Sequence, residues 1–302
     1  MLRDNVQVER CDFTSLTLAD VKFRAWHRMC FESLMPTFSL VTLNCFGVPT
    51  TSTRKRLLAL ARELNSEAHH VVCFQEVQSN PYRRLLVKAC DSYPFSAFQP
   101  FLHAPKGGLL TLSRLPISSA DFTMYEARGR WFSPAVADWI LHKGILAARI
   151  QCDDLPVMIL NTHLNANYRG DWHNHNHYTR HEHRQLLQLA KVAAAQSADT
   201  LVIVAGDFNV PRGSWLYDEF IAASGMTDSM AGDVRPTYRA SNLLPNHYAM
   251  PIDFAFYRAP ELPNLKVTGD LHFQDKISLG SGRSVHLSDH VAVRLELSWS
   301  DA

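Results

Sequence analysis

Four polar clusters close apolar runs in this chain: Phe74-Gln75-Glu76, Asn161-Thr162-His163, Gly206-Asp207-Phe208-Asn209 and Ser288-Asp289-His290. Asn44 ends a similar run, Val41-Thr42-Leu43-Asn44, and Asp253 stands inside Pro251-Ile252-Asp253-Phe254. A carboxylate beside apolar residues is costly to desolvate unless it is paired or bound to a cation. Carboxylates, carboxamides and two imidazoles together suit a divalent cation and a phosphate ester. Singly, each piece has a plainer reading. Asn and Asp are common turn residues, and a lone buried His is often only a hydrogen-bonded core residue. Six such strand-end sites in one chain point to one chemistry.

The residue types suggest roles. Mg2+ takes one or two carboxylates and keeps waters and substrate oxygens, so Glu76 is the candidate ligand, with Asn44 orienting a bound water or the Glu. Gly206 allows a tight turn, and residues two apart on extended backbone point the same way. Asp207 can hold or donate the proton of a leaving group, while Asn209 can donate to a phosphate oxygen without repelling it. His163 and His290 are natural proton carriers and phosphate donors. Asp253 has the setting of an acid that orients a histidine.

The elements needed to carry these groups are visible as short strands at 39–45, 71–77, 108–113, 144–151, 157–163, 200–205, 252–258 and 291–298. Helical spacing marks 54–64, about 180–196 and 215–224, with Thr179 and Glu182 forming a capping box for the second helix. Adjacent strands near 108–150 and 144–163 predict antiparallel hairpins, not a doubly wound parallel sheet. Mixed sheets packed as a sandwich with helices outside fit better. With no repeat or linker, residues 37–302 read as one catalytic domain and residues 1–36 as an extension. Within that extension Val21, Phe23, Trp26, Met29, Cys30 and Leu34 predict a helical stripe docked on the domain; interfacial binding is the alternative.

Thirty Lys+Arg against 29 Asp+Glu, a net charge of +1, supplies no global field for nucleic acid. Six cysteines without a Cys-x-x-Cys pair predict buried thiols instead of disulfides or zinc. The charged start lacks the apolar core of a signal peptide, and no apolar run approaches the ~20 residues of a membrane span. The expectation is a soluble, cytoplasmic monomer, with peripheral membrane contact.

The ordered set Asn44, Gln75-Glu76, Thr162-His163-Leu164, Gly206-Asp207-Phe208-Asn209, Ile252-Asp253-Phe254 and Ser288-Asp289-His290 resembles the endonuclease/exonuclease/phosphatase superfamily over roughly residues 38–298. The resemblance implies an α/β fold, a four-layer α/β/β/α sandwich of two mixed, largely antiparallel sheets flanked by helices. It implies Mg2+, with Mn2+ as a substitute, held by Glu76 helped by Asn44. Asp253 would orient His290 as general base. Asp207 and Asn209 would handle the leaving group and scissile phosphate, His163 would stabilise phosphate charge, and Asp289 would support the metal or His290.

Finer features resemble the neutral sphingomyelinase branch. Asn44-Cys45-Phe46-Gly47-Val48-Pro49 is similar to that branch's Asn-Cys-Trp-Gly-Ile-Pro, and Trp131-Phe132-Ser133 and the segment 162–168 also resemble it. The implied activity is a phospholipase C-like phosphodiesterase that acts on a phospholipid at a membrane surface and releases its phosphorylated head group. The alternative is a metal-dependent nuclease or deadenylase, whose Gly-Asp-Phe-Asn-Val-Pro and Ser-Asp-His are shared. A non-catalytic binding protein on the same scaffold fits less well, because none of the charged groups is lost. The run His173, His175, His177, His181, His183 matches no closed zinc spacing and reads as a polar rim of the site. Lys106 or Lys143 is placed near the phosphate.

Overall fold

The computed structural model describes residues 6–10, 36–127, 142–239, 249–279 and 284–300. In chain order its elements are β1 (Gln7–Arg10), β2 (Thr37–Asn44), α1 (Thr53–Glu67), β3 (Val71–Gln75), α2 (Asn80–Ala89), β4 (Phe95–Phe98), β5 (Leu110–Ser113), β6 (Ile117–Met124), β7 (Gly144–Cys152) and β8 (Leu155–His163). They continue with α3 (His177–Ala194), β9 (Leu201–Asp207), α4 (Trp215–Ser224), β10 (Thr227–Asp228), β11 (Asp253–Arg258), β12 (Lys266–His272), β13 (Lys276–Ser278), β14 (Ser284–His286) and β15 (Ala292–Ser298). One sheet runs β1-β4-β5-β3-β2-β15-β12 and the other β10-β11-β9-β8-β7-β6. Only β2/β3 and β8/β9 pair in parallel within them.

Period-2 alternation makes each sheet two-faced. In β2, Phe38 and Leu40 enter the layer between the sheets, while Val41 and Leu43 face out. In β9, Leu201, Ile203 and Ala205 face in, and Val202 and Val204 face out. The outward faces are covered by helices: Leu57, Leu60 and Leu64 of α1 on one side, Leu186 and Leu189 of α3 with Phe220 of α4 on the other. Each such fully buried side chain contributes about 1.5–3 kcal/mol. The result is the expected α/β four-layer sandwich.

Several boundaries differ from those read in the sequence. The cap of α3 is Asn176, whose side chain accepts from Tyr178 N–H; Thr179 is already helical, and its hydroxyl donates to the Asp171 carbonyl. Of the two expected hairpins, β7 and β8 form one. Across 108–150 the antiparallel pair is β6 with β7 in the second sheet, whereas β5, the strand read at 108–113, joins β3 and β4 in the first. In the extension, β1 adds to the sheet edge beside β4. The stripe from Val21 to Leu34, Cys11, Cys30 and Trp131-Phe132-Ser133 lie outside the described residues. Cys45, Cys73, Cys90 and Cys152 are free and buried, as expected. Among the described residues no helix is long and apolar enough to cross a membrane.

Candidate active site

The central strands end at one edge of the sandwich. Asn44 closes β2, Gln75 closes β3, His163 closes β8 and Asp207 closes β9, while Asp253 opens antiparallel β11 directly opposite Asp207. There the apolar layer between the sheets gives way to a buried amide pair. Gln75 Nε2 donates to Asn161 Oδ1 at 2.8 Å, and Asn161 Nδ2 donates to the Phe74 and Leu110 carbonyls. Two turns beyond the strands hold non-glycine residues in the left-handed region: Glu76 (φ 54°) and Asn209 (φ 52°). Such conformations concentrate where a site over-determines them. Gly206 (φ 149°) is required outright, since a Cβ there would lie 1.9 Å from the Thr162 carbonyl oxygen.

A cavity of about 280 Å3 opens on this edge, and Glu76, His163, Asp207, Asn209, Asp289 and His290 all line it. Behind them, Asp253 is fully buried and its Oδ2 lies 2.8 Å from His290 Nδ1. His290 Nε2 is 3.8 Å from Asp207 Oδ2, and His163 Nε2 is 3.4 Å from that oxygen. Asn44 is also behind the wall. Its Nδ2 donates to Asp207 Oδ2 at 2.9 Å, and its Oδ1 accepts from Phe46 N–H. Asn209 Nδ2 donates to the Leu164 carbonyl at 3.0 Å, and Ser288 Oγ donates to the Asn44 carbonyl at 2.6 Å. Of the two lysines, Lys143 lines the cavity, with Nζ 3.0 Å from His163 Nε2, whereas Lys106 sits over the Phe101 ring.

Electrostatics follow from this crowding. Burial, with the Asp289 charge adding, raises Glu76 above the usual carboxylate range. Burial likewise raises Asp207, Asp253 adding and His290 opposing. For His290, burial disfavours the imidazolium, but the Asp253 and Asp207 carboxylates outweigh it and raise the pKa. His163 moves the other way: burial, then the Lys143 charge, holds it well below the ordinary imidazole value.

Three positions carry the site without having signalled it in sequence. Thr237 Oγ1 accepts from the Ile252 and Asp253 N–H groups, both at 2.9 Å, which fixes the start of β11. Tyr238 lies beside the His290 ring, centroids 5.0 Å apart, and bridges to His290 through backbone. The Arg239 guanidinium donates to the Ser288 and His290 carbonyls. All three sit in a loop with no periodicity to mark them. The histidine run lies elsewhere: none of its five members lines the cavity, and His173 and His183 instead share a surface pocket with Arg180, Trp215 and Glu219.

A model of the Endonuclease/Exonuclease/phosphatase family matches residues 41–290, most of the chain. The chain belongs to this family. A putative neutral sphingomyelinase of Drosophila melanogaster is 28% identical over 281 residues, 87% of this chain and 61% of the fly protein. An inositol phosphosphingolipids phospholipase C of Schizosaccharomyces pombe is 30% identical over 186 residues, 58% of this chain and 42% of its own length. The chain thus spans less than two thirds of either relative. Among solved structures, sphingomyelinase C from Streptomyces griseocarneus superposes with a TM-score of 0.68 at 20% identity, covering 86% of this chain and 99% of that one. Humanized D. rerio TDP2 gives 0.67 at 17%, covering 87% and 99%. These likenesses establish the family fold, which a lipid-named and a differently named protein share equally.

Proposed function

We propose that this family member is a Mg2+-dependent phosphodiesterase that hydrolyses its phosphoester by in-line attack of water, and that its substrate is a sphingolipid-type phospholipid cleaved to release the phosphorylated head group. The observation carrying the reading is the single cavity walled by Glu76, Asp207, Asp289, His163, Asn209 and His290, with Asp253 clamped to His290 behind it.

The donor set fits a hard cation. Glu76 and Asp289 face the cavity beside Asp207, and burial, with the Asp289 charge adding, raises Glu76 against the pull of His290, Asn44 and Lys143. Oxygen ligands of this kind suit Mg2+, with Mn2+ as a substitute. Glu76 and Asp289 would hold the ion, and Asn44 would steady the adjoining carboxylates. Bound there, a divalent ion supplies charge neutralisation for the phosphate oxygens and weakens the carboxylate field that retains the His290 proton.

The chain's own groups divide the remaining work. Asp253 fixes His290 through Nδ1 and directs Nε2 to the attacking water, whose proton it accepts. Asp207, whose protonated form burial favours, gives its proton to the departing oxygen. Asn209 has a second amide hydrogen beyond the one on Leu164, available to a nonbridging oxygen. His163, uncharged at neutral pH, adds a further polar contact on the same wall. Donors arranged in advance around the developing charge are the largest single source of such catalysis.

The lipid assignment rests on the fly and yeast relatives and on the rest of the cavity lining, where Phe46, Tyr168, Trp172, Tyr238, Met250 and Ile252 are apolar or aromatic. Head-group release from sphingomyelin, inositol phosphosphingolipid and lysophospholipid vesicles, measured with Mg2+ and with EDTA, tests it. Metal-dependent release is expected, and Glu76→Gln and His290→Ala should each reduce kcat by at least ~10²-fold. Cleavage of DNA or oligo(A) with all lipids inert would reverse the substrate assignment. Unchanged kcat in either variant would remove the assigned roles.

A further inference from the structure

Away from the cavity, a second set of ligating side chains converges. Glu67 is the last residue of α1, His69 lies two residues beyond, and His272 ends β12. His69 Nε2 is 2.9 Å from Glu67 Oε2, and His272 Nε2 contacts that same oxygen. The two rings stand edge to face with centroids 5.9 Å apart. Their ligating atoms all lie within 4.8 Å of one another.

Two imidazoles turning the same nitrogen toward one carboxylate oxygen are an unusual use of three polar side chains. If each ring only donated a hydrogen bond, one carboxylate oxygen would accept both. A metal ion uses the same arrangement fully. Around a tetrahedral ion with bonds of about 2.0–2.1 Å, ligand atoms sit roughly 3.3 Å apart. Both nitrogens approach the Glu67 oxygen more closely than that, so the side chains part slightly to admit an ion. Two nitrogens and one oxygen select a borderline transition ion over Mg2+. Glu67 and His272 side chains are 28% and 22% exposed, which gives an ion an entry path and leaves room for water as a fourth ligand. His69 is buried and is held in place by the end of α1.

We infer that Glu67, His69 and His272 form a second metal site, suited to a Zn2+-class ion, that clamps the end of α1 to edge strand β12. The clamp joins residues 205 positions apart in the chain. It lies apart from the proposed Mg2+ ligands and does not depend on the phosphodiesterase reading.

Co2+ is the probe, added to the full chain after chelator treatment and in excess Mg2+, with Glu76→Gln as the background that disables the cavity. One Co2+ per chain is expected, with the ligand-field absorption of a four- or five-coordinate ion, displaced by Zn2+. Zn2+ should also raise the melting temperature. Glu67→Gln, which preserves side-chain shape, and His272→Ala should each weaken Co2+ binding by more than about tenfold, with the far-UV spectrum unchanged. If His272→Ala fails to fold, the isosteric Glu67→Gln decides. No Co2+ bound in the Glu76→Gln protein, or equal binding with and without the Glu67 carboxylate, would overturn the site.

Discussion

At His163, the chemistry and the stability of the fold act on one proton. The ring is 3% exposed and lies against Lys143, so burial first and that charge second hold its pKa well below the ordinary value. In the unfolded chain it titrates near 6.5. The unfolded state therefore binds the extra proton across the acid window, and stability falls as pH falls. The contribution is complete above about pH 6.5 and is lost below it, by about 2 kcal/mol between pH 7 and pH 5. Urea unfolding of the wild type and of His163→Gln at both pH values measures this. The wild type should lose about 2 kcal/mol more than the variant on acidification. Equal losses would mean that the folded protein already carries an imidazolium at this position, and His163 could not then act as the neutral contact proposed for it.

The elements explain which parts of the site were legible. Asn44, Glu76, His163 and Asp207 were readable because apolar runs announce a strand, and the polar residues that follow each run mark its mouth-side end. Asp253 was readable for the opposite reason, as a charge within an apolar run. Thr237, Tyr238 and Arg239 act largely through backbone and ring contacts from a loop, where no period separates them from neighbours. β6 and β12 were missed because their outer positions are exposed and polar, leaving too few apolar residues to register. The α3 cap was misread because Thr179 and Glu182 mimic a capping box, while both are buried inside the helix. Helix α1 also hides a function in its apolar stripe. Arg56 is 5% exposed and donates to the Cys45, Phe46 and Leu287 carbonyls, tying the turn after β2 to the segment before Ser288. Hydrogen bonds from a charged donor contribute about 1.5–3 kcal/mol each. Arg56→Met, which keeps the aliphatic stem, should destabilise the protein by about 2–4 kcal/mol and lower kcat, because Asn44 and Asp289 lose a shared brace. Arg56→Lys should recover only part of either, since an ammonium cannot span three carbonyls as a planar fork does. Full recovery by lysine would show that charge alone suffices.

For the whole molecule, the decisive quantity is the negative charge that the two sheets gather at one edge. Glu76, Asp207 and Asp289 line the cavity and Asp253 stands behind, with Lys143 and His290 as the cations on the same wall. The sheets converge on this edge through parallel β2/β3 and β8/β9, so relieving the charge stabilises both halves of the sandwich at once. An ion that binds the folded chain alone adds RT ln(1 + [L]/Kd), about 2.7 kcal/mol at a hundredfold excess over Kd. For a protein of this size that corresponds to a rise in Tm of roughly 5 °C. Calorimetry of the EDTA-treated protein, with and without Mg2+, should record this rise, and Mn2+ should reproduce it. Glu76→Gln should abolish most of it. That variant should also melt no lower than the wild type without metal, because it removes a carboxylate that burial and the Asp289 charge disfavour. A Tm indifferent to Mg2+ would mean that Lys143, His290 and retained protons already offset the four carboxylates. A variant that keeps the full rise would put the ion elsewhere.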